Sequence, residues 1–231
     1  CRKPGDSKIT FGTGAFLLAV AGTTRPADGD LLPTIGWKLS SSAPVFAIEG
    51  GIYDAGSALE WAHRIGLYTD VEELDIFEGP TAISRGLAFV PALSGLAAPY
   101  WDRRAAPLFI GMDHATDRRD LVRAILEGIA MLTAGLIASA AKTMPLSSTI
   151  SIDGGLSKSR YFARMLAGAS GHDVAVPAMH ELTAVGLAEL CGIDASATRK
   201  AAHVFSSDGG ISDEDHKRFK DAVARARGWR G

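Results

Sequence analysis

The stretch that most constrains this chain is Ser151-Ile152-Asp153-Gly154-Gly155-Leu156-Ser157-Lys158-Ser159. Thr149, Ile150 and Ile152 read as a short buried strand. An apolar helical pattern follows at once, through Tyr161, Phe162, Met165 and Leu166. A strand that ends in Asp-Gly-Gly and opens a helix has two physical consequences. Glycines allow a sharp turn and let a ligand approach the main chain. A helix start presents unpaired N–H groups and the positive end of the dipole, which favour an anion such as phosphate. An ordinary strand-to-helix turn with an Asp cap fits the same residues, so this stretch alone leaves both readings open.

The rest of the chain sets its context. Lys8–Phe11 and Phe16–Val20 read as two strands joined through Gly12-Thr13-Gly14-Ala15. Residues 23–33 are a loop by turn chemistry, and Thr34–Leu39 and Val45–Ile48 are further strands. The first fifty residues are therefore expected to form an antiparallel meander. From Gly51 the period becomes helical, with Ile52, Ala55, Ala58, Leu59 and Ala62 on one face, a stop near Gly66, and a short helical turn over 71–77. Leu87–Pro91 is a compact strand. Thr116 or Asp117 can cap a long helix whose face includes Leu121, Ile125, Ile129, Leu132 and Leu136. Asp173–Pro177 is a strand, residues 181–191 a helix ended by Gly192, and 213–227 an amphipathic helix with Phe219, Ala222, Val223 and Ala226 as its apolar side.

Antiparallel strands followed by alternating helix and strand imply an α/β layer protein with a mixed sheet. Ligands in such sheets collect outside the carboxyl ends of strands. Gly12-Thr13-Gly14 and Asp153-Gly154-Gly155 are both strand-end turns and are expected to converge there. Neither a P-loop nor a Gly-x-Gly-x-x-Gly fingerprint is present.

Composition narrows the function classes. With 24 Lys and Arg against 26 Asp and Glu, the formal charge is -2, which gives no electrostatic case for nucleic acid or an anionic membrane. Arg123, Glu127 and Lys142 interrupt the longest helical segment, so no spanning run is expected. Cys1 and Cys191 match no metal or redox spacing, and two free thiols in a reducing cytoplasm are expected, with Cys191 packed. The six histidines form no pair at metal spacing, so no metal site is expected. The chain opens on Cys1 close to a strand, as a piece of a longer protein would.

Several segments, in order, carry a resemblance. These are Thr10–Leu18 (Thr-Phe-Gly-Thr-Gly-Ala-Phe-Leu-Leu), Glu49-Gly50 leading to Ala55-Gly56-Ser57, and Gly95–Asp102 (Gly-Leu-Ala-Ala-Pro-Tyr-Trp-Asp). Arg123–Gly128, Asp153-Gly154-Gly155, Glu181–Gly186 and the tail over Ala222-Val223 and Gly228-Trp229 complete the set. Together they resemble the FGGY carbohydrate kinases, closest to the glycerol kinases among them. The resemblance implies an actin-like (ribonuclease H-like) ATPase fold, with residues 1–231 forming the C-terminal, nucleotide-binding domain of a two-domain kinase whose N-terminal domain lies upstream. It implies ATP with Mg²⁺, transfer of a phosphoryl group to a polyol such as glycerol, no nucleic-acid partner, and a partner domain contributing the opposite cleft wall; a homo-oligomer is among the assemblies it allows.

Carried over by position, Thr13 contacts the nucleotide phosphates. Gly56 and Gly155 flank the nucleotide, with Glu60 and Ser159 at its two side-chain positions. Phe16 packs on the carbon side of the polyol or, by its alternation, belongs to the core. Trp101 is expected to pack, and Arg103-Arg104 to be a solvated loop pair or to steer phosphate. Three positions depart from the family: Glu60 stands where glycerol kinases carry Gln, Ser159 where they carry Asn, and Pro107 where a small residue is usual. A carboxylate at position 60 loses a donor and adds a charge. The resemblance puts the catalytic Asp, in a Gly-Asp-Gln segment, before Cys1, so the chain by itself is expected to be inactive and to expose an apolar cleft face. Another FGGY polyol or sugar kinase, or a domain that binds nucleotide or a partner without catalysis, are the competing readings.

Overall fold

The computed structural model describes residues 1–179, 182–195 and 201–231. The first strands are β1 (Ser7–Phe11), β2 (Ala15–Gly22), β3 (Leu32–Trp37) and β4 (Val45–Ile52). Beyond them come α1 (Gly56–Arg64), the two-stranded ribbon β5 (Ala88–Val90) and β6 (Leu108–Ile110), and α2 (Arg118–Thr143). The last part holds β7 (Thr149–Gly154), α3 (Arg160–Ser170), β8 (Asp173–Pro177), α4 (Leu182–Leu190), β9 (Ala201–Phe205) and α5 (Asp213–Ala226). Seven strands form one mixed sheet in the order β3-β4-β2-β1-β7-β8-β9. β1/β7 and β7/β8 are parallel and the other pairs antiparallel.

Strand alternation builds the core. Ile9, Phe11, Leu17, Ile48, Ile150 and Ile152 are all buried, and Phe11 meets Phe162 of α3 edge-on at 4.9 Å between ring centroids. Asp117 is the cap of α2, its side chain accepting from the Asp120 N–H, as its residue type allows. α5 buries Phe219, Ala222, Val223 and Ala226, the face read from its period.

The expected simple meander is corrected. β2 pairs with β4, and β3 lies outside β4. Pro33 supplies the reason: it has no N–H for a ladder and suits an edge strand. β4 runs on to Ile52, so Ile52 ends a strand and does not open α1. Two further expectations fail. α2 contains a stretch long and apolar enough to cross a bilayer, but 83% of that stretch is buried inside the fold, where it serves as the core helix. Cys191 is exposed, because the apolar residues of α4 are spread around the helix and none of them is buried. Glu181, which opens one resembling segment, lies outside the described residues.

Candidate functional site

The parallel register sets Phe11 beside Gly154. The carboxyl ends of β1 and β7 therefore lie together, and the Gly155 N–H donates to the Phe11 carbonyl at 2.9 Å. Gly154 has φ +91°, and a Cβ there would stand 2.1 Å from the Phe11 carbonyl oxygen. Only glycine lets β7 turn against β1 in this way.

A third element joins these two turns. The carbonyl of Gly12 accepts from the Gly56 N–H, and that of Thr13 from the N–H groups of Ala55 and Ser57, each at 3.0 Å. These carbonyls satisfy N–H groups that α1 would otherwise leave open, since α1 has no side-chain cap. The start of α1 is thus closed by backbone rather than open to an anion. Asp54 is 2% exposed and braces this junction from behind. It accepts from the hydroxyls of Ser57 and Ser94 at 3.0 Å each and from the Ser94 N–H at 2.6 Å.

Around the junction opens a cavity of about 900 Å³, within the usual span for small-molecule sites. Gly56, Glu60, Gly155 and Ser159 all line it, together with Gly12. Two residues expected to act with them lie apart. Thr13 is exposed at the hairpin turn beside the cavity without lining it. Phe16 is 55% exposed on β2, which removes the core reading and leaves its ring on an open sheet face.

Ser159 is also busier than expected. The helix does not follow the glycines at once: a 3-10 turn, Leu156–Lys158, intervenes, and Ser159 then caps α3 by accepting from the Phe162 N–H. Its hydroxyl lies 3.1 Å from Asp75 Oδ1 and 3.3 Å from the Leu74 carbonyl. Asp75 Oδ1 also accepts from the Tyr161 N–H at 2.6 Å.

The far wall, residues 68–76, was not legible as a site. Tyr68, Thr69, Val71, Glu72, Leu74, Asp75 and Ile76 all line the cavity, yet no motif marks them. The one local signal was a capping box: Asp70 and Glu73 bond each other's backbone across the 3-10 turn Val71–Leu74. Burial, then the charge of Glu60, raises the Tyr68 phenol above its ordinary value, which puts Glu60 close to that wall.

Bonds from the Thr69 and Asp70 N–H groups and the Thr69 hydroxyl hold Glu73 down at about 2, from an ordinary 4.5. A depressed carboxyl contributes fully above its unfolded value and loses that contribution as pH falls through the folded one. Hydrogen-exchange protection over 69–75 should therefore fall between pH 4.5 and about 2. In Glu73→Gln it should be low already at neutral pH and flat across that window; an unchanged profile in the variant would assign the wall's order to other contacts.

One family model matches, over residues 7–195: the FGGY family of carbohydrate kinases, C-terminal domain. A glycerol kinase of Haloarcula marismortui is 33% identical over 242 residues, covering 99% of this chain and 48% of that protein. A glycerol kinase of Mycoplasma genitalium is 37% identical over 198 residues, covering 84% and 39%. Among solved structures, a Plasmodium falciparum glycerol kinase with ADP superposes with a TM-score of 0.85 at 30% identity, over 97% of this chain and 47% of that one. The sheet and its flanking helices thus have the actin-like ATPase fold. The chain spans about half the length of the relatives it matches.

Proposed function

Because the chain belongs to the FGGY family of carbohydrate kinases, as a C-terminal domain, we propose that it is the nucleotide side of an ATP-dependent polyol kinase acting on glycerol. The observation that carries this reading is the single cavity that gathers Gly56, Glu60, Gly155 and Ser159 at the carboxyl ends of β1 and β7. The relatives' names supply glycerol as the acceptor.

The cavity's chemistry orients the nucleotide. Its interior is apolar, with Phe11, Leu59, Leu74 and Leu156, and carries Glu60, Glu72 and Asp75 against His63 and Lys158. Carboxylates repel phosphates, so this interior suits the uncharged nucleoside. The phosphates then run toward the Gly12-Thr13-Gly14 turn, where backbone can approach and Thr13 offers a hydroxyl. Among the described residues no group of three His, Cys, Asp or Glu side chains could hold a metal ion. Magnesium, which the resemblance implies, is usually held by one or two carboxylates together with substrate phosphates, and when bound with ATP it would offset phosphate charge.

In the transfer, the acceptor hydroxyl oxygen bonds to the γ-phosphorus. The bond from that phosphorus to the β,γ-bridging oxygen breaks, and its electron pair leaves with ADP. The hydroxyl proton goes to a carboxylate that we assign to the other domain of the kinase. Positioning dominates such reactions, and one wall of a cleft positions only one reactant. The chain alone should therefore bind ATP weakly and phosphorylate no glycerol, whereas the longer kinase should do so. Titrating ATP into the chain by calorimetry tests the nucleotide half of this reading, and Glu60→Gln, which removes a charge and restores a donor, should tighten binding several-fold. Absence of ATP binding in both forms, or glycerol turnover by the chain alone, would sink the reading.

A further inference from the structure

We infer that the cavity reads its nucleobase through Glu60 and takes guanine nucleotides in preference to adenine ones, so that GTP is a better phosphoryl donor than ATP. This deepens the kinase reading above and rests on it. What sets this chain apart is a lack of side-chain amides. Across its 231 residues it holds no Asn and no Gln, the two side chains that set one donor and one acceptor against adenine.

Around the cavity the uncommitted groups are mostly acceptors. Each hydroxyl there has a single hydrogen, and each spends it on the protein. Tyr68 donates to the Leu59 carbonyl at 3.2 Å. Thr69 faces the carboxylates of Asp70 at 3.1 Å and Glu73 at 3.0 Å, and Ser159 serves Asp75 and the Leu74 carbonyl. The Glu60 carboxylate, by contrast, makes no ion pair or hydrogen bond with a described residue. Lys158 and the His63 ring are the side-chain donors that remain.

Position assigns Glu60 to the base. Gly56, Leu59, Glu60 and His63 line the cavity from α1, at the spacing of one helix face. The Gly56 N–H is held by the Gly12 carbonyl, at the turn toward which the phosphates run. Glu60 stands one helical turn farther on, about 6 Å along the axis at 1.5 Å per residue, in a cavity whose Leu59, Leu74 and Leu156 suit the faces of a flat ring. Guanine carries two adjacent donors, N1–H and the 2-amino group, which match the two oxygens of one carboxylate; its O6 accepts from a cation such as Lys158. Adenine sets the lone pair of N1 beside its amine. Against a carboxylate that lone pair is repelled and one hydrogen bond is lost.

The test is a donor panel of GTP, ITP and ATP with glycerol in the longer, two-domain kinase, as parent, Glu60→Gln and Glu60→Ala. In the parent, kcat/KM for GTP should exceed that for ATP about 10-fold, the worth of one such bond. ITP keeps N1–H but lacks the 2-amino group and should fall between them. Glu60→Gln should reverse the order, and Glu60→Ala should remove the discrimination by lowering GTP. Calorimetric titration of GDP and ADP into the chain should give the same ranking, and the thermal midpoints should stay together, since the Glu60 carboxylate bonds nothing in the fold. ATP equal to or better than GTP in the parent, or a GTP-to-ATP ratio within twofold of the parent in both variants, overturns the inference and leaves the kinase reading standing. A parent enzyme that phosphorylates glycerol from none of the three donors overturns both.

Discussion

Replacing Glu127 with Gln is expected to destabilise the chain by about 3–5 kcal/mol, the usual cost of breaking a buried ion pair from one side. Glu127 is 2% and Arg123 6% exposed, one turn apart on α2 and 2.9 Å from each other. Each is committed elsewhere as well. The two Glu127 oxygens accept from the N–H groups of Ala82 and Ile83, both at 2.9 Å. Arg123 donates to the carbonyls of Glu78 at 2.8 Å and Gly79 at 3.0 Å, and to the Tyr161 hydroxyl at 2.8 Å. Burial, and then the Glu127 charge, pushes the Tyr161 phenol well above its ordinary value, so it remains a donor to Glu127.

Neutralising Glu127 leaves a buried guanidinium without its counter-charge. For a chain of this size, thermal melting should shift down by roughly 10 °C. An apolar pair at both positions, Arg123→Met with Glu127→Leu, should recover part of that loss, because the charges then vanish together; the N–H groups of Ala82 and Ile83 would still lack a partner. A melting shift of only a degree or two in Glu127→Gln would show that the pair is not structural. The consequence reaches the site, since the segment held by this pair continues directly from the cavity wall at 68–76.

This network also shows what the sequence could convey and what it could not. Signals confined to a few residues were legible: the Asp117 cap, the apolar face of α5, the strand-end glycines and their meeting at one sheet edge. Arg123 and Glu127 stand four apart on a helix, and that spacing usually marks a solvated pair. Their partners at 78–83 are distant in the chain, so burial was visible only once the chain had folded. The same holds for Asp54, whose partner Ser94 lies 40 residues away, and for the far cavity wall, which is ordinary 3-10 turn until Asp75 meets Ser159. The order β3-β4-β2 had a local clue in Pro33, which the strand pattern alone did not weigh. Four expected nucleotide contacts reached one cavity because strand register and turn glycines, both local properties, place them. Phe16 lies exposed on β2 and Thr13 exposed in the hairpin turn, so neither lines that cavity.

The two glycines after Asp153 separate architecture from binding, and their substitution should give opposite results. Gly154→Ala should be severe. The backbone there has φ +91°, and the new Cβ would stand 2.1 Å from the Phe11 carbonyl oxygen, 2.7 Å from its carbon and 3.0 Å from its nitrogen. Strain at such a backbone costs about 1–3 kcal/mol, and forced repacking about as much again. All the contacting atoms are main chain of a central strand, so no side chain can swing aside. The expected result is a chain that melts far below the parent or fails to accumulate as folded protein. Gly155 differs in both respects: its φ is ordinary, at −60°, and a Cβ would meet nothing within 4 Å. What it does border is the cavity. Gly155→Val should therefore melt within a few degrees of the parent while lowering ATP affinity 10-fold or more, about 1.4 kcal/mol or above, because the branched side chain fills the space where nucleotide would lie against the backbone. Calorimetric titration and thermal melting of the two variants side by side decide the matter. If Gly155→Val bound ATP as the parent does, the nucleotide would have to lie away from this turn, and the cavity would be the wrong place for it.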